Sequence, residues 1–102
     1  MANFSYINTN VLAVRCALSG CHLNNQFPIL KSDVSYNNIV NKASSRGLDY
    51  IEPGDPDNSY LYLKITGAPG INGVRMPRGA TPLSQVTLDS IRTWIEMGAL
   101  DN

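Results

Sequence analysis

Residues 15–22 of this 102-residue chain read Arg-Cys-Ala-Leu-Ser-Gly-Cys-His. The stretch contains both cysteines of the protein, Cys16 and Cys21, and its only histidine, His22. A chain of this length builds only a marginal hydrophobic core, so a disulfide, a metal or a cofactor often supplies additional stability. We therefore expect the chemistry of this stretch to organise the fold.

The stretch is close to Cys-x-x-Cys-His, the signature of covalent haem attachment. In that signature two thiols bond to the haem vinyl groups, and the histidine beside the second cysteine binds the iron. Cys21 and His22 keep this adjacency, but four residues separate Cys16 from Cys21 in place of two. A longer loop is tolerable, because doubling its length costs only about 0.6 kcal/mol of closure entropy. The motif thus predicts a c-type haem site with an enlarged Cys-x4-Cys-His spacing.

Other interpretations of the same stretch remain open. Cys16 and Cys21 could close a small disulfide loop, or be two thiols beside an incidental histidine. A structural zinc site is less suitable, since two cysteines and one histidine give three ligands where zinc takes four. For a haem iron, Met76 in a Gly- and Pro-rich loop is a candidate sixth ligand, and Met97 is the next candidate. For either methionine the alternative role is core packing.

The composition is that of a globular chain with no net charge. Hydrophobic residues make up 43% of the sequence, and eight basic residues balance eight acidic ones. We predict a single domain over residues 1–102. No nucleic-acid partner is expected, because nucleic acids require a clustered basic surface. No transmembrane segment is expected either, since no apolar run approaches the roughly 20 residues that span a bilayer.

Hydrophobic periodicity of the helical kind dominates, and the alternation typical of strands is nearly absent. Four helices are predicted, over about residues 6–16, from Ser32 or Asp33 to about 44–47, over about 56–65, and from Ser84 to Gly98. Two loops are predicted over residues 23–30 and 67–83, and the second contains four Gly and three Pro.

Local signals support two of these helices. Asp55 and Pro56 suit the N-cap and first position of the third helix, and Gly67 suits a left-handed C-cap. The last helix has the clearest pattern. The apolar side chains that share one face there are Leu88, Ile91, Trp94 and Ile95.

Four motifs in order resemble the monohaem class I cytochromes c, and more specifically a bacterial branch of that family. The resemblance covers most of residues 10–100. The motifs are Pro-Gly-Asp-Pro at 53–56, Ser-Tyr-Leu-Tyr-Leu-Lys at 59–64, Arg-Met-Pro at 75–77, and Leu-Ser at 83–84 followed by Ile-Arg-Thr-Trp-Ile at 91–95 and Gly-Ala at 98–99.

The resemblance implies an all-α, class I cytochrome c fold in which about four helices and a long methionine-bearing loop surround one covalently attached haem. The first and last helices would pack together with Trp94 at or near the contact. The implied cofactor is haem c, one per chain. In this implied site Cys16 and Cys21 carry the thioethers, His22 and Met76 bind the iron as proximal and distal ligands, Ile51 and Leu61 line the pocket, and Arg75 lies near a propionate.

The implied function is one-electron transfer to and from redox partner proteins, either by a free-standing protein or by a subunit or domain of a redox enzyme complex. No enzyme activity of its own is expected, because the only histidine is assigned to the iron and the acidic residues are scattered. The first thirty residues carry one charge, Arg15. Docking near the Cys16–Cys21 and Leu23–Leu30 segments is therefore expected to be mainly apolar and weakly dependent on salt.

Residues 1–5 lack the basic and apolar regions of a signal peptide. Either a natural leader has been removed or the protein stays in the cytoplasm. Bacterial c-type haem attachment takes place outside the cytoplasm in the family that the chain resembles. We therefore expect a periplasmic or otherwise extracytoplasmic protein whose leader is not part of this sequence.

Two other classes of function remain as alternatives. One is a haem-based sensor of small ligands or a peroxidase-like protein, in which the iron lacks a stable sixth ligand. The other is a haem-free extracytoplasmic binding module with a disulfide between Cys16 and Cys21.

Overall fold

The computed structural model describes residues 2–17, 22, 28–31, 34–44, 47–69, 71, 75–77 and 82–102. The regular elements in these ranges are helices, and the extended pairings found there are two isolated bridges, Val40 with Ile51 and Ala43 with Asp49. The predicted all-α class is therefore confirmed. The helices are α1 (Phe4–Ile7), a π-helix (Asn8–Cys16), α2 (Ser35–Ile39), a 3₁₀ turn (Pro56–Asn58), α3 (Tyr60–Thr66) and α4 (Gln85–Glu96).

The first helical segment is longer than predicted and changes type along its length. The Asn3 side chain accepts a hydrogen bond from the Tyr6 N–H at 2.8 Å and so caps α1, which begins at Phe4, two residues before the predicted start. The segment continues as the π-helix, which ends with the Ala17 N–H donating to Leu12 O, five residues back, at 2.7 Å. Departures to π geometry often occur at functional sites. Here the π-helix ends at Cys16.

Helix α2 ends earlier than predicted. Ser32 and Asp33, the predicted N-caps, lie outside the described residues. The helix stops at Ile39 rather than at residues 44–47, because Val40 is extended and bridges Ile51, and Asn41 follows with φ at +59°.

The third predicted helix is divided into two parts. Pro56 begins the 3₁₀ turn, as its fixed φ allows, but the turn stops at Asn58 and α3 starts at Tyr60. The buried Ser59 lies between them; its hydroxyl accepts from the Glu52 N–H at 2.9 Å and donates to Asp55 O at 2.9 Å. The predicted C-cap is confirmed, since Gly67 ends α3 in the left-handed region with φ at +71°.

Helix α4 agrees with the prediction. Ser84 caps it by accepting the Thr87 N–H at 3.2 Å, and Gly98, two residues beyond its end, has φ at +105°. The apolar face is buried as predicted. Its members, each no more than 5% exposed, are Leu88, Ile91, Trp94 and Ile95.

The two ends of the chain meet around Trp94. The ring centroids of Phe4 and Trp94 are 5.5 Å apart, and those of Phe4 and Tyr36 are 5.0 Å apart. The Phe4 N–H donates to the Asn102 side chain at 2.9 Å. The first and last helices are therefore in contact at Trp94, as the resemblance implied. None of the helices in the described ranges is long and apolar enough to cross a membrane.

Candidate functional site

A cavity of about 250 Å³ opens between the π-helix, α3 and the segment that carries Met76. This volume is slightly below the roughly 300–1,000 Å³ of typical ligand sites. Most of its wall is aliphatic. The aliphatic residues that line it are Val11, Leu12, Leu30, Leu61, Ile65, Leu83 and Ile91.

Four of the site residues proposed from the sequence line this one cavity: Cys16, His22, Leu61 and Met76. They come from three separate parts of the chain, since Cys16 and His22 share one stretch, and the fold brings a thiol, an imidazole and a thioether to the same apolar space. Cys21, the second cysteine of the motif, lies outside the described residues.

The imidazole of His22 is held by its own neighbours. Its Nδ1 lies 2.9 Å from Pro28 O. A carbonyl oxygen can only accept a hydrogen bond, so this contact requires a proton on Nδ1. The backbone is held as well, since the His22 N–H donates to Cys16 O at 3.1 Å and the Leu30 N–H donates to His22 O at 2.6 Å.

Met76 is tied to the end of α3. Its N–H donates to Lys64 O at 2.9 Å, and its half-buried side chain packs against the hydrophobic core while it lines the cavity. Lys64 and Ile65 also line the cavity. The same turn of helix therefore provides part of the cavity wall and holds the backbone of the methionine.

Two other residues implied by the resemblance lie away from the cavity. Ile51 is fully buried in the hydrophobic core, where its N–H donates to Ile39 O at 2.9 Å, and it does not line the cavity. Arg75 does not line it either, because its side chain turns back to α3 and its Nε–H donates to Ile65 O at 2.9 Å. In the described part of the chain, the cationic side chain at the cavity is that of Lys64.

Tyr50, Tyr60 and Lys64 also line the cavity and give it polar groups that were not predicted from the sequence. Burial raises the pKa of the Tyr50 phenol, and the nearby Tyr60 raises it further. Tyr50 therefore remains neutral and keeps its hydroxyl proton at neutral pH. Hydrogen bonds from the Tyr60 and Leu61 N–H groups to the carbonyls of Asp49 and Tyr50 hold the backbone of Tyr50 against the start of α3.

Some of the missed residues had a signal in the sequence. One helical face carries residues at the i, i+1, i+4, i+5 spacing, and here these are Tyr60, Leu61, Lys64 and Ile65. The apolar Leu61 and Ile65 therefore indicate that Tyr60 and Lys64 lie on the same face. Pro28 lacked such a signal, because its contribution is a backbone carbonyl and every residue has one.

The donor atoms suit a haem better than an ion held by the protein alone. Within the described ranges, no three His, Cys, Asp or Glu side chains are grouped so that they could bind a metal ion. A haem iron is bound mainly by the porphyrin and takes only axial ligands from the protein, such as the His and Met of cytochromes c. The imidazole, thioether and thiol that line this apolar cavity are therefore side chains of the kinds that hold a c-type haem.

Comparison with models of known protein families, with curated proteins and with solved structures gave no match.

Proposed function

We propose that the protein is a monohaem class I cytochrome c that transfers single electrons. One haem c would be attached to Cys16 and Cys21, with His22 and Met76 as the axial ligands of its iron. The observation that carries this proposal is the hydrogen bond from His22 Nδ1 to Pro28 O at 2.9 Å, at the wall of an apolar cavity that Met76 also lines.

The bond to Pro28 supports a role for His22 as a metal ligand. Histidines that bind metals almost always donate their other ring N–H to a carboxylate or a carbonyl, which fixes the tautomer and the ring orientation and makes the ligand nitrogen more basic. Pro28 O has this role for His22.

The haem, when bound, supplies a one-electron couple whose oxidation states differ by one charge. The chain's own residues would set the balance between them. The thioether of Met76 is a soft ligand that favours the reduced metal. The aliphatic wall, with Leu12, Leu61 and Ile91 among its members, excludes water and disfavours the additional positive charge of the oxidised state. Both effects are expected to raise the reduction potential.

The wider proposals follow from this site. The partners would be redox proteins that dock near the π-helix and His22, and the protein would work outside the cytoplasm, where c-type haem is attached in bacteria. Val14 lies on the π-helix two residues before Cys16 and is 55% exposed. It provides apolar surface close to the proposed haem edge, in keeping with weakly salt-dependent docking.

The ligand set can be tested by optical spectroscopy of the haem-loaded protein. We expect a methionine–iron charge-transfer band in the ferric form and no binding of carbon monoxide by the ferrous form at neutral pH. A haem protein that lacks the band and binds carbon monoxide readily would instead belong to the sensor or peroxidase-like class, and would contradict electron transfer with Met76 as ligand.

A further inference from the structure

The C-terminal turn of α3 is completed by residues from another part of the chain. The last four carbonyls of a helix have no partners within it. At the end of α3, Leu63 O accepts the N–H groups of the C-cap Gly67 and of Ala68. The next two carbonyls, those of Lys64 and Ile65, accept from residues about ten positions further along, as described above.

Met76 and Arg75 are those two donors. The Met76 N–H donates to Lys64 O and the Arg75 Nε–H donates to Ile65 O, both at 2.9 Å. Two consecutive loop residues are therefore fixed to two consecutive helix carbonyls. A cation near a helix C-terminus is also favoured by the partial negative charge of the exposed carbonyls.

Gly67 provides the space for the Arg75 side chain. A Cβ at Gly67 would lie 3.0 Å from Cδ of Arg75 and 3.4 Å from its Cγ. The aliphatic part of Arg75 therefore passes so close to Gly67 that a side chain at this position would push Arg75 aside. Met76 follows directly and reaches the cavity with its side chain, so the position of Arg75 limits the position of the thioether.

We propose that Arg75 is a positioning residue for Met76: its hydrogen bond to Ile65 O and its packing on Gly67 hold the thioether at the cavity. This proposal rests on the proposed role of Met76 as an iron ligand. It gives Arg75, which the resemblance placed near a propionate, a function that its side-chain contacts support.

The test measures how easily imidazole displaces Met76 from the ferric iron of the haem-loaded protein. In Arg75→Leu the guanidinium is lost together with its Nε–H donor and its charge, and we expect the affinity for imidazole to rise roughly fivefold to tenfold, the size expected for one ordinary protein hydrogen bond. Lys42→Leu removes the same charge from an exposed residue and should leave the affinity unchanged. Arg75→Lys keeps the charge but lacks the planar Nε–H donor, and it should give a smaller rise in the affinity for imidazole.

A pair of glycine variants tests the same proposal without changing Arg75. Gly67 and Gly47 both have positive φ, so alanine is strained at either position, but a Cβ at Gly47 would meet nothing within 4 Å. Gly67→Ala should raise the imidazole affinity, because the new methyl group displaces Arg75. Gly47→Ala should lower the stability of the fold and leave the imidazole affinity unchanged.

The outcomes separate this proposal from the proposed function. The positioning role alone is overturned if the wild type has the methionine–iron band, Arg75→Leu matches Lys42→Leu, and Gly67→Ala matches Gly47→Ala. A haem-loaded wild type without the band overturns the role of Met76 and this proposal together. If Arg75→Leu does not fold, the glycine pair decides the question.

Discussion

The Met76→Ala variant is expected to keep its haem, to lose on the order of 100 mV of reduction potential, and to bind carbon monoxide when reduced. Axial ligation controls haem potentials over a range of about 0.8 V. Removal of the thioether takes away the soft ligand that favours the reduced state. It also leaves an open coordination position at the cavity, where the methionine side chain packed before. Attachment should persist, because it depends on the cysteines.

Met97→Ala is the matched control, since it makes the same substitution at a residue that is 64% exposed at the C-cap of α4. Its potential should equal that of the wild type, and its reduced form should not bind carbon monoxide. The two measurements are protein-film voltammetry and the optical spectrum under carbon monoxide. An unchanged potential in Met76→Ala would show that another residue is the sixth ligand.

The Trp94→Ala variant is expected to lower the free energy of unfolding by about 3–5 kcal/mol, the usual cost of truncating a buried aromatic residue. Trp94 is 2% exposed and packs on Phe4, and its Nε1–H donates to Leu100 O at 2.9 Å. The substitution would leave a cavity where the chain termini meet. It would also remove the hydrogen-bond donor to Leu100 O. Small domains have only about 5–15 kcal/mol of stability in total.

Denaturant unfolding of the haem-loaded protein measures this loss as a lower midpoint with an unchanged slope. Val86→Ala, on the same helix at a side chain that is 77% exposed, should change the free energy of unfolding by no more than about 0.5 kcal/mol. Equal midpoints for the two variants would show that the contact between the first and last helices does not support the fold.

Local sequence signals predicted the elements that depend on local interactions. The bounds of α4 follow from the Ser84 hydroxyl, the spacing of four apolar residues and the freedom of Gly98 to adopt a positive φ. The end of α3 at Gly67 follows from the same conformational freedom. Each of these signals acts within a few residues, so the sequence displays it directly.

Two of the errors in the helix predictions came from groups that compete for the backbone hydrogen bonds of the helix. Helix α2 was predicted to continue past Ile39, but the bridge from Val40 to Ile51 ends it. The helix predicted over residues 56–65 is interrupted at Ser59, whose hydroxyl binds the backbone of Glu52 and Asp55. Helical periodicity does not indicate such competitors for the backbone, since it reflects only the spacing of apolar side chains.

The parts of the candidate site that consist of distinctive side chains could be predicted from the sequence. The parts that consist of backbone groups could not. His22 and Met76 were proposed from residue type and order, and both line the cavity. The Pro28 carbonyl that orients His22 carries no residue-specific signal. The resemblance implied that Arg75 lies near a propionate, and the structure adds a hydrogen bond from its Nε–H to the helix carbonyl of Ile65.

The mass of the intact protein, produced in a bacterial host that attaches c-type haem, tests covalent haem attachment most directly. Trypsin cleaves after Arg15 and Lys31, so Cys16, Cys21 and His22 fall in one peptide, residues 16–31. We predict an intact mass increased by one haem that survives denaturation, a haem-bearing 16–31 peptide, and no alkylation of either cysteine by iodoacetamide. Alkylation of Cys16 alone would indicate a single thioether. A mass two hydrogens below that of the reduced chain, with no haem, would indicate a disulfide and contradict the proposed cytochrome.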